Sequence, residues 1–175
     1  MFDKLVDLII SFWDKLVPYV IINQTEEAVR LRFGKFKESL APGIHPKLSF
    51  FDEIIQHIVV WTTISPPSQS LTTKDGKDIV IKFIIKYRIS DIQTFALSVW
   101  DAIDAISDMT QGIVFDIVKE KTWEELQTAD LKPLITRKAR SEAKRWGIEI
   151  ETVTLSDLAK IRSIKLISDA GCNIM

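Results

Sequence analysis

The segment from Asp78 to Ile89 alternates so strictly that it leaves one choice of local structure. Ile79, Ile81, Phe83, Ile85, Tyr87 and Ile89 fall on one side, and Asp78, Val80, Lys82, Ile84, Lys86 and Arg88 on the other. A period of two is the repeat of a β-strand, since a helix would scatter these positions around its axis. One face is therefore core and most of the other is wet. Lys74-Asp75-Gly76-Lys77 precedes it, and the Asp-Gly pair is a strong hairpin signal, so Ser68 to Thr73 is expected to pair with it antiparallel. Lys82, Lys86 and Arg88 read better as the solvated side of this strand than as a phosphate-binding patch.

A second organising stretch runs from Glu26 to Ile55. Val29, Leu31 and Phe33 alternate with Ala28, Arg30 and Arg32 until Gly34, so a half-buried strand ends in a hairpin. Lys35 to Leu40 is polar and reads as solvated. Pro42-Gly43 forces a second reversal and His45-Pro46 keeps the backbone extended. Tyr19 to Asn23 reads as a short leading strand. Phe51 to Thr63 carries Ile54, Ile55, Ile58, Val59, Val60 and Trp61, a nearly continuous apolar run suited to a strand buried on both faces.

Helices are expected in the second half. Ser90-Asp91-Ile92-Gln93 has capping-box spacing and opens one through Val99. Asp101 caps the next, where Ile103, Ile106, Ile113, Val114, Ile117 and Val118 recur at helical spacing, with Gly112 weakening its middle. Thr122-Trp123-Glu124-Glu125 is a second capping box. A helix after Asp130 turns Leu131, Leu134, Ile135, Ala139, Ala143 and Trp146 inward and stops at Gly147. Glu149 to Ser156 closes the pattern as a strand whose alternation slips phase, which a bulge near Thr152 would reconcile.

The pattern E-x-V-x-L-R-F-G-K, then L-x-P-G-I-H, then L-x-F-F-D-E-I, resembles the opening of the SPFH domain, or band 7 domain, of stomatins, prohibitins, flotillins and the bacterial membrane-protease regulators. The T-K-D-G turn, the strand ending in Y-R-I-S-D and the closing W-G-I strand agree with the same plan. The resemblance covers about Val20 to Leu158. It implies an α+β fold of small antiparallel sheets with packed helices.

The first segment, residues 1–18, separates its residues cleanly on a helical wheel. Asp3, Lys4, Asp7, Ser11, Asp14 and Lys15 share one arc, leaving Phe2, Leu5, Val6, Ile9, Phe12, Trp13, Leu16 and Val17 among the apolar remainder. Charge interrupts it too often for a bilayer span, which needs about 20 mainly apolar residues. It suits a helix lying in the interface with those apolar residues as the membrane contact; docking on its own domain or on a neighbouring subunit is the alternative. Three Asp and two Lys on the polar face mean that apolar area drives insertion. In the resembling family such a segment holds the domain to the membrane. No cleavable signal peptide is expected, since the first residues mix acid and base without a small-residue cleavage site.

The chain thus divides into the amphipathic helix 1–18, the domain 19–158 and a short helical tail 159–175. The family usually continues into a long coiled coil, whereas Ile161, Ile164, Leu166 and Ile167 supply two heptads at most. Cys172-Asn173-Ile174-Met175 fits a C-terminal prenylation box, although Asn173 is not aliphatic, so lipidated Cys172 and an unmodified thiol are both open. One cysteine in 175 residues excludes an internal disulfide framework.

The net charge of −1 gives no electrostatic case for nucleic acid. His45 and His57 have no ligand-like spacing, which argues against a metal, and no nucleophile has a partner, which argues against an enzyme. Six scattered glycines form no phosphate cradle, and no cofactor is expected. The basic outer face of the helix after Asp130, with Arg137, Arg140 and Lys144, reads as solvated surface, lipid contact or subunit contact, of which subunit contact fits best.

The resemblance implies a non-catalytic, membrane-associated scaffold. It would oligomerise laterally into a ring or cage, organise a membrane microdomain, and bind or regulate integral membrane proteins such as proteases or channels. The alternative is a module that caps or modulates a longer SPFH assembly.

Overall fold

The computed structural model describes residues 19–98 and 101–161, with the backbone alone at Ala102. The expected interfacial helix, with its membrane contacts from Phe2 to Val17, and Cys172 lie outside the described residues.

The alternating segment is the centre of the larger sheet. β8 (Asp78–Ile89) pairs along its whole length with β9 (Ile148–Lys160). A strand has two edges, so β6 (Thr62–Ile64) and β7 (Gln69–Thr72) lie end to end along the other. All pairings are antiparallel. Ile79, Ile81, Phe83 and Ile85 are fully buried, as the period of two requires.

β9 keeps its apolar side chains on the core face by two bulges. Lys86 pairs Thr152 while Tyr87 pairs Ile150, which leaves Glu151 over; Lys82 pairs Asp157 while Phe83 pairs Leu155, which leaves Ser156 over. Each extra residue resets the side-chain parity, so Ile148, Ile150 and Val153 are all buried. The bulge expected near Thr152 is present. The second one lets the strand run past the Ser156 at which the alternation was expected to end.

The core face is covered by α1 (Ile92–Ser98), α2 (Ala102–Glu120), α3 (Trp123–Thr128) and α4 (Lys132–Ala143), the last continuing as a 3-10 turn to Trp146. Asp101 caps α2 by accepting from the Asp104 N–H. Thr122 and Glu125 form the reciprocal capping box of α3. At α1 the cap is Asp91 rather than Ser90. Its carboxylate accepts from the N–H groups of Gln93 and Thr94 and from the Thr94 hydroxyl, which holds it below the usual carboxylate range.

α4 lies against β9 and beside α2. It also seals part of the outer edge of β9. The Thr136 hydroxyl accepts from the Val153 N–H at 3.0 Å, and Arg140 donates to the carbonyls of Ile150 and Glu151 at 2.9 and 2.8 Å. These bonds occupy strand-edge groups that would otherwise be open to another chain. Thr136→Val would leave the fully buried Val153 N–H without an acceptor. A loss of about 2 kcal/mol in urea unfolding is expected, with Thr136→Ser close to wild type.

The smaller unit places β2 (Glu26–Arg32) between β3 (Lys35–Leu40) and β5 (Asp52–Ile58). β1 (Tyr19–Ile22) pairs with β4 (Gly43–Pro46) as a separate ribbon. Val29 joins the main core, while Ala28 joins Ile22, Leu40 and Ile54 in a second cluster. β2 is therefore buried on both sides at its middle, not half-buried, and Arg30 is inside with its partners Glu38 and the Pro46 carbonyl. Lys35 to Leu40 supplies the other strand of the hairpin, with Lys35, Lys37 and Ser39 exposed as expected and Leu40 buried.

Phe51 to Thr63 departs most from expectation. It forms two strands in different sheets, separated at Val59 to Trp61, and β5 is a sheet edge that leaves Ile58 exposed. Trp61 faces out and takes the Arg88 guanidinium over its ring at 4.7 Å.

Candidate membrane-facing surface

The turn after β2 carries the least ordinary backbone in the described chain. Phe33 has φ 52° and Gly34 φ 73°, the pair of positive angles that a two-residue hairpin needs between Arg32 and Lys35. Asn or Gly adopts the first of these readily, whereas a bulky side chain does so at a cost. Here the residue is a phenylalanine, 73% exposed. Burial does not repay that cost within the domain.

Phe51 packs against it, and further exposed apolar side chains lie on the same smaller unit. The Phe33 N–H donates to the Phe51 carbonyl, and the two rings lie 4.9 Å apart. Phe50 beside them is 81% exposed. The Pro46 carbonyl, opposite Tyr19, accepts from Arg30 at 2.7 Å, which ties the β1–β4 ribbon to β2. Tyr19, Ile21 and Ile44 share the outward face of the β1–β4 ribbon, by the alternation along β1 and the Ile21–Ile44 pairing. All three are exposed.

A partly buried ion pair braces this turn. Arg32 donates to both oxygens of Asp52, at 2.7 and 3.0 Å, and the Leu48 N–H adds a third bond at 3.1 Å. The Arg32 guanidinium, opposed by burial and helped by the Leu48 N–H, brings the Asp52 carboxyl down to about 2. The same carboxylate raises Arg32.

Apolar side chains clustered in this way mark a protein or membrane contact. The aromatic rings suit the boundary between headgroups and acyl chains. The described chain begins at Tyr19, on β1. Alternation along β2 puts Phe33 on the side of Val29 and Leu31, whereas the turn points it outward. The signal that would have found the surface is an aromatic immediately before a turn glycine, together with Phe50-Phe51 at the next loop.

The other candidate residues are placed as follows. Arg137, Arg140 and Lys144 lie along the outward side of α4 and its 3-10 extension, all exposed. Arg140 is engaged with β9, whereas Arg137 and Lys144 have no ion pair among the described residues. Lys86 and Arg88 are paired with Glu151 and Glu149 across the strands, which makes that face a ladder of opposite charges. His57 packs edge-on against Phe95 at 4.9 Å, and burial lowers its pKa. His45 contacts the Ala41 carbonyl. Among the described residues no group of three metal-ligating side chains converges, and no helix is long and apolar enough to cross a membrane.

Three antiparallel sheets and a helical layer define an α+β domain. The chain belongs to the SPFH domain / Band 7 family, whose model matches residues 20–162. It is similar to an uncharacterized protein of Methanocaldococcus jannaschii, 25% identical over 163 residues that cover 90% of this chain and 80% of that protein. It is also similar to stomatin-4 of Caenorhabditis elegans, 26% identical over 145 residues, 79% of this chain and 50% of stomatin-4. The modulator of FtsH protease HflK of Escherichia coli is 24% identical over 110 residues, 63% of this chain. The chain spans half of the stomatin and 26% of the protease modulator.

Proposed function

We propose that this protein is a non-catalytic scaffold seated on a membrane by its phenylalanine end. Residues 1–18 lie in the interface beside Tyr19, and Phe33, Phe50 and Phe51 enter the boundary layer with them. Copies associate laterally, organise the lipid and proteins around them, and bind or restrain an integral membrane protein. The name of the E. coli relative, modulator of FtsH protease, supports a protease as one such partner. The observation that carries the reading is Phe33, an aromatic held at a positive φ that stays 73% exposed despite its contact with Phe51.

The test is partition of the full-length chain into liposomes, read by flotation. Phe33→Asn, Phe50→Ser and Phe51→Ser are combined, with Asn chosen because it tolerates the turn's backbone. Loss of three interfacial aromatics is expected to lower the partition coefficient about tenfold or more, equivalent to about 1.4 kcal/mol. Partition equal to wild type, with the fold intact by circular dichroism, would overturn the seating.

A further inference from the structure

α2 and α4 pack side by side over the sheet and carry outward charge of opposite sign. On α2 and its cap, Asp101, Asp104 and Asp108 are exposed, spaced by three and four residues. On α4 and its 3-10 extension, Arg137, Arg140 and Lys144 are exposed at the same spacing. Residues three and four apart form one stripe, so each helix presents three like charges along one line. At 1.5 Å per residue both stripes are about 10 Å long.

Neither stripe is neutralised within the domain. Asp101 accepts the Asp104 N–H as the helix cap, and no cation pairs Asp101, Asp104 or Asp108 among the described residues. Arg137 and Lys144 likewise lack an acid. Arg140 is fixed by the Ile150 and Glu151 carbonyls through Nε and Nη2, which leaves Nη1 without a bond among the described residues. Its guanidinium is thus an anchored, exposed donor. A recess of about 310 Å³ opens beside it, lined by Lys132, Pro133, Thr136, Arg137, Arg140 and Thr152. Three cations around one concavity fit a carboxylate-bearing partner.

We infer that the Asp101–Asp104–Asp108 stripe of one copy docks on the Arg137–Arg140–Lys144 stripe of the next. The occupant is a second copy of this chain because the complementary stripe, of equal length and spacing, is on the chain itself. Each copy then offers one stripe of each sign, so two copies related by a two-fold axis can satisfy both stripes at once, and a head-to-tail arrangement can extend the contact to further copies. This inference rests on the lateral assembly proposed above and names its contact surface. The pairing brings together at least three opposite charges on each side. It is exposed at its rim, so salt weakens it.

The experiment is light scattering of the full-length chain in detergent, with two charge reversals on separate helices. One variant is Asp104→Lys with Asp108→Lys; the other is Arg137→Glu with Lys144→Glu, which leaves the strand-bound Arg140 alone. Wild type is expected as an assembly at about 0.05 M salt that shifts toward monomer at about 0.5 M. Each reversal alone is expected to be monomeric. An equimolar mixture of the two, or one chain carrying all four changes, is expected to regain the assembly mass, which also shows that the variants fold. An assembly that survives both single reversals overturns this contact and leaves lateral assembly standing. Wild type that is monomeric under all these conditions overturns lateral assembly itself. Monomeric single variants that fail to recover when mixed, while the four-change chain also stays monomeric, overturn the stripe pairing.

Discussion

Gly147→Ala is expected to cost about 4 kcal/mol or more, a large share of the total stability of a small domain. Gly147 ends the 3-10 turn after α4 at φ 70° and starts β9. An added Cβ would lie 2.4 Å from the Asp91 carbonyl, 3.0 Å from the Phe95 nitrogen and 3.2 Å from the Thr94 Cβ. Two of those three are backbone atoms, so no side chain can rotate away. The left-handed angle alone costs alanine about 1 kcal/mol. Forcing α1 away adds about 1–3 kcal/mol of overpacking. The shift also breaks the bonds at the Gly147 carbonyl, which accepts from the N–H groups of Ser90 and Asp91 and from the Ser90 hydroxyl. Those three bonds join the end of β8 to the start of β9, worth about 1 kcal/mol each. Urea unfolding or soluble yield reads the result. Gly112→Ala is the internal control, since nothing lies within 4 Å of its Cβ on α2, and it is expected to stabilise by about 0.5–1 kcal/mol. Similar midpoints for the two variants would mean that the contact between Gly147 and α1 is not as close as described.

Gly147 also shows where sequence reasoning ends. A glycine closing a helix before an apolar strand is legible, because the left-handed angle is a local requirement. That it is pressed against α1 is not legible, because α1 arrives from more than fifty residues away in sequence. The same division runs through the fold. β8 was readable from its period of two, and α3 from the Thr122–Glu125 capping box, since both signals lie within the element. Composition could not divide Phe51 to Thr63 between two sheets, because an apolar residue does not say what covers it. Ile58 is as apolar as Ile79, yet only Ile79 meets a helix layer. Phe33 failed for a related reason. Alternation assigned it the side of Val29 and Leu31, but the strand ends one residue earlier and the positive φ turns the ring outward. The surface proposed for membrane contact consists largely of such exceptions, since side chains kept for an outside partner break the rules that bury the others.

Asp52→Ala is expected to lose about 3 kcal/mol and to loosen the phenylalanine end. The side chain of Asp52 is 1% exposed and that of Arg32 30%. Removing the carboxylate strands a half-buried guanidinium and the Leu48 N–H together. Breaking a fully buried pair costs about 3–5 kcal/mol, and the partial exposure of Arg32 puts this one at the low end. The pH dependence follows from the direction of the shift. Asp52 sits near 2 in the folded protein against an ordinary 3.8, so the folded state holds its proton less tightly than the unfolded chain. The stability it contributes is full above about pH 4 and is lost as pH falls through about 2, some ~2 kcal/mol in all. Asp75, Asp91 and Glu125 are lowered too, so the difference between wild type and Asp52→Asn is the informative quantity. It should narrow by about 2 kcal/mol on acidification across that interval. Parallel acid curves would place the linkage in the other three carboxylates. The functional consequence is separable from stability. Phe51 precedes Asp52 and its carbonyl holds the Phe33 N–H, so an unpinned Asp52 leaves both rings free to turn. Ordering them at the bilayer then costs about 0.5–1.5 kcal/mol per side chain. Asp52→Asn should therefore bind liposomes several-fold more weakly at neutral pH, where the variant is still folded. Binding equal to wild type would show that the pair supports the sheet alone and that the phenylalanines need no scaffold to reach the lipid.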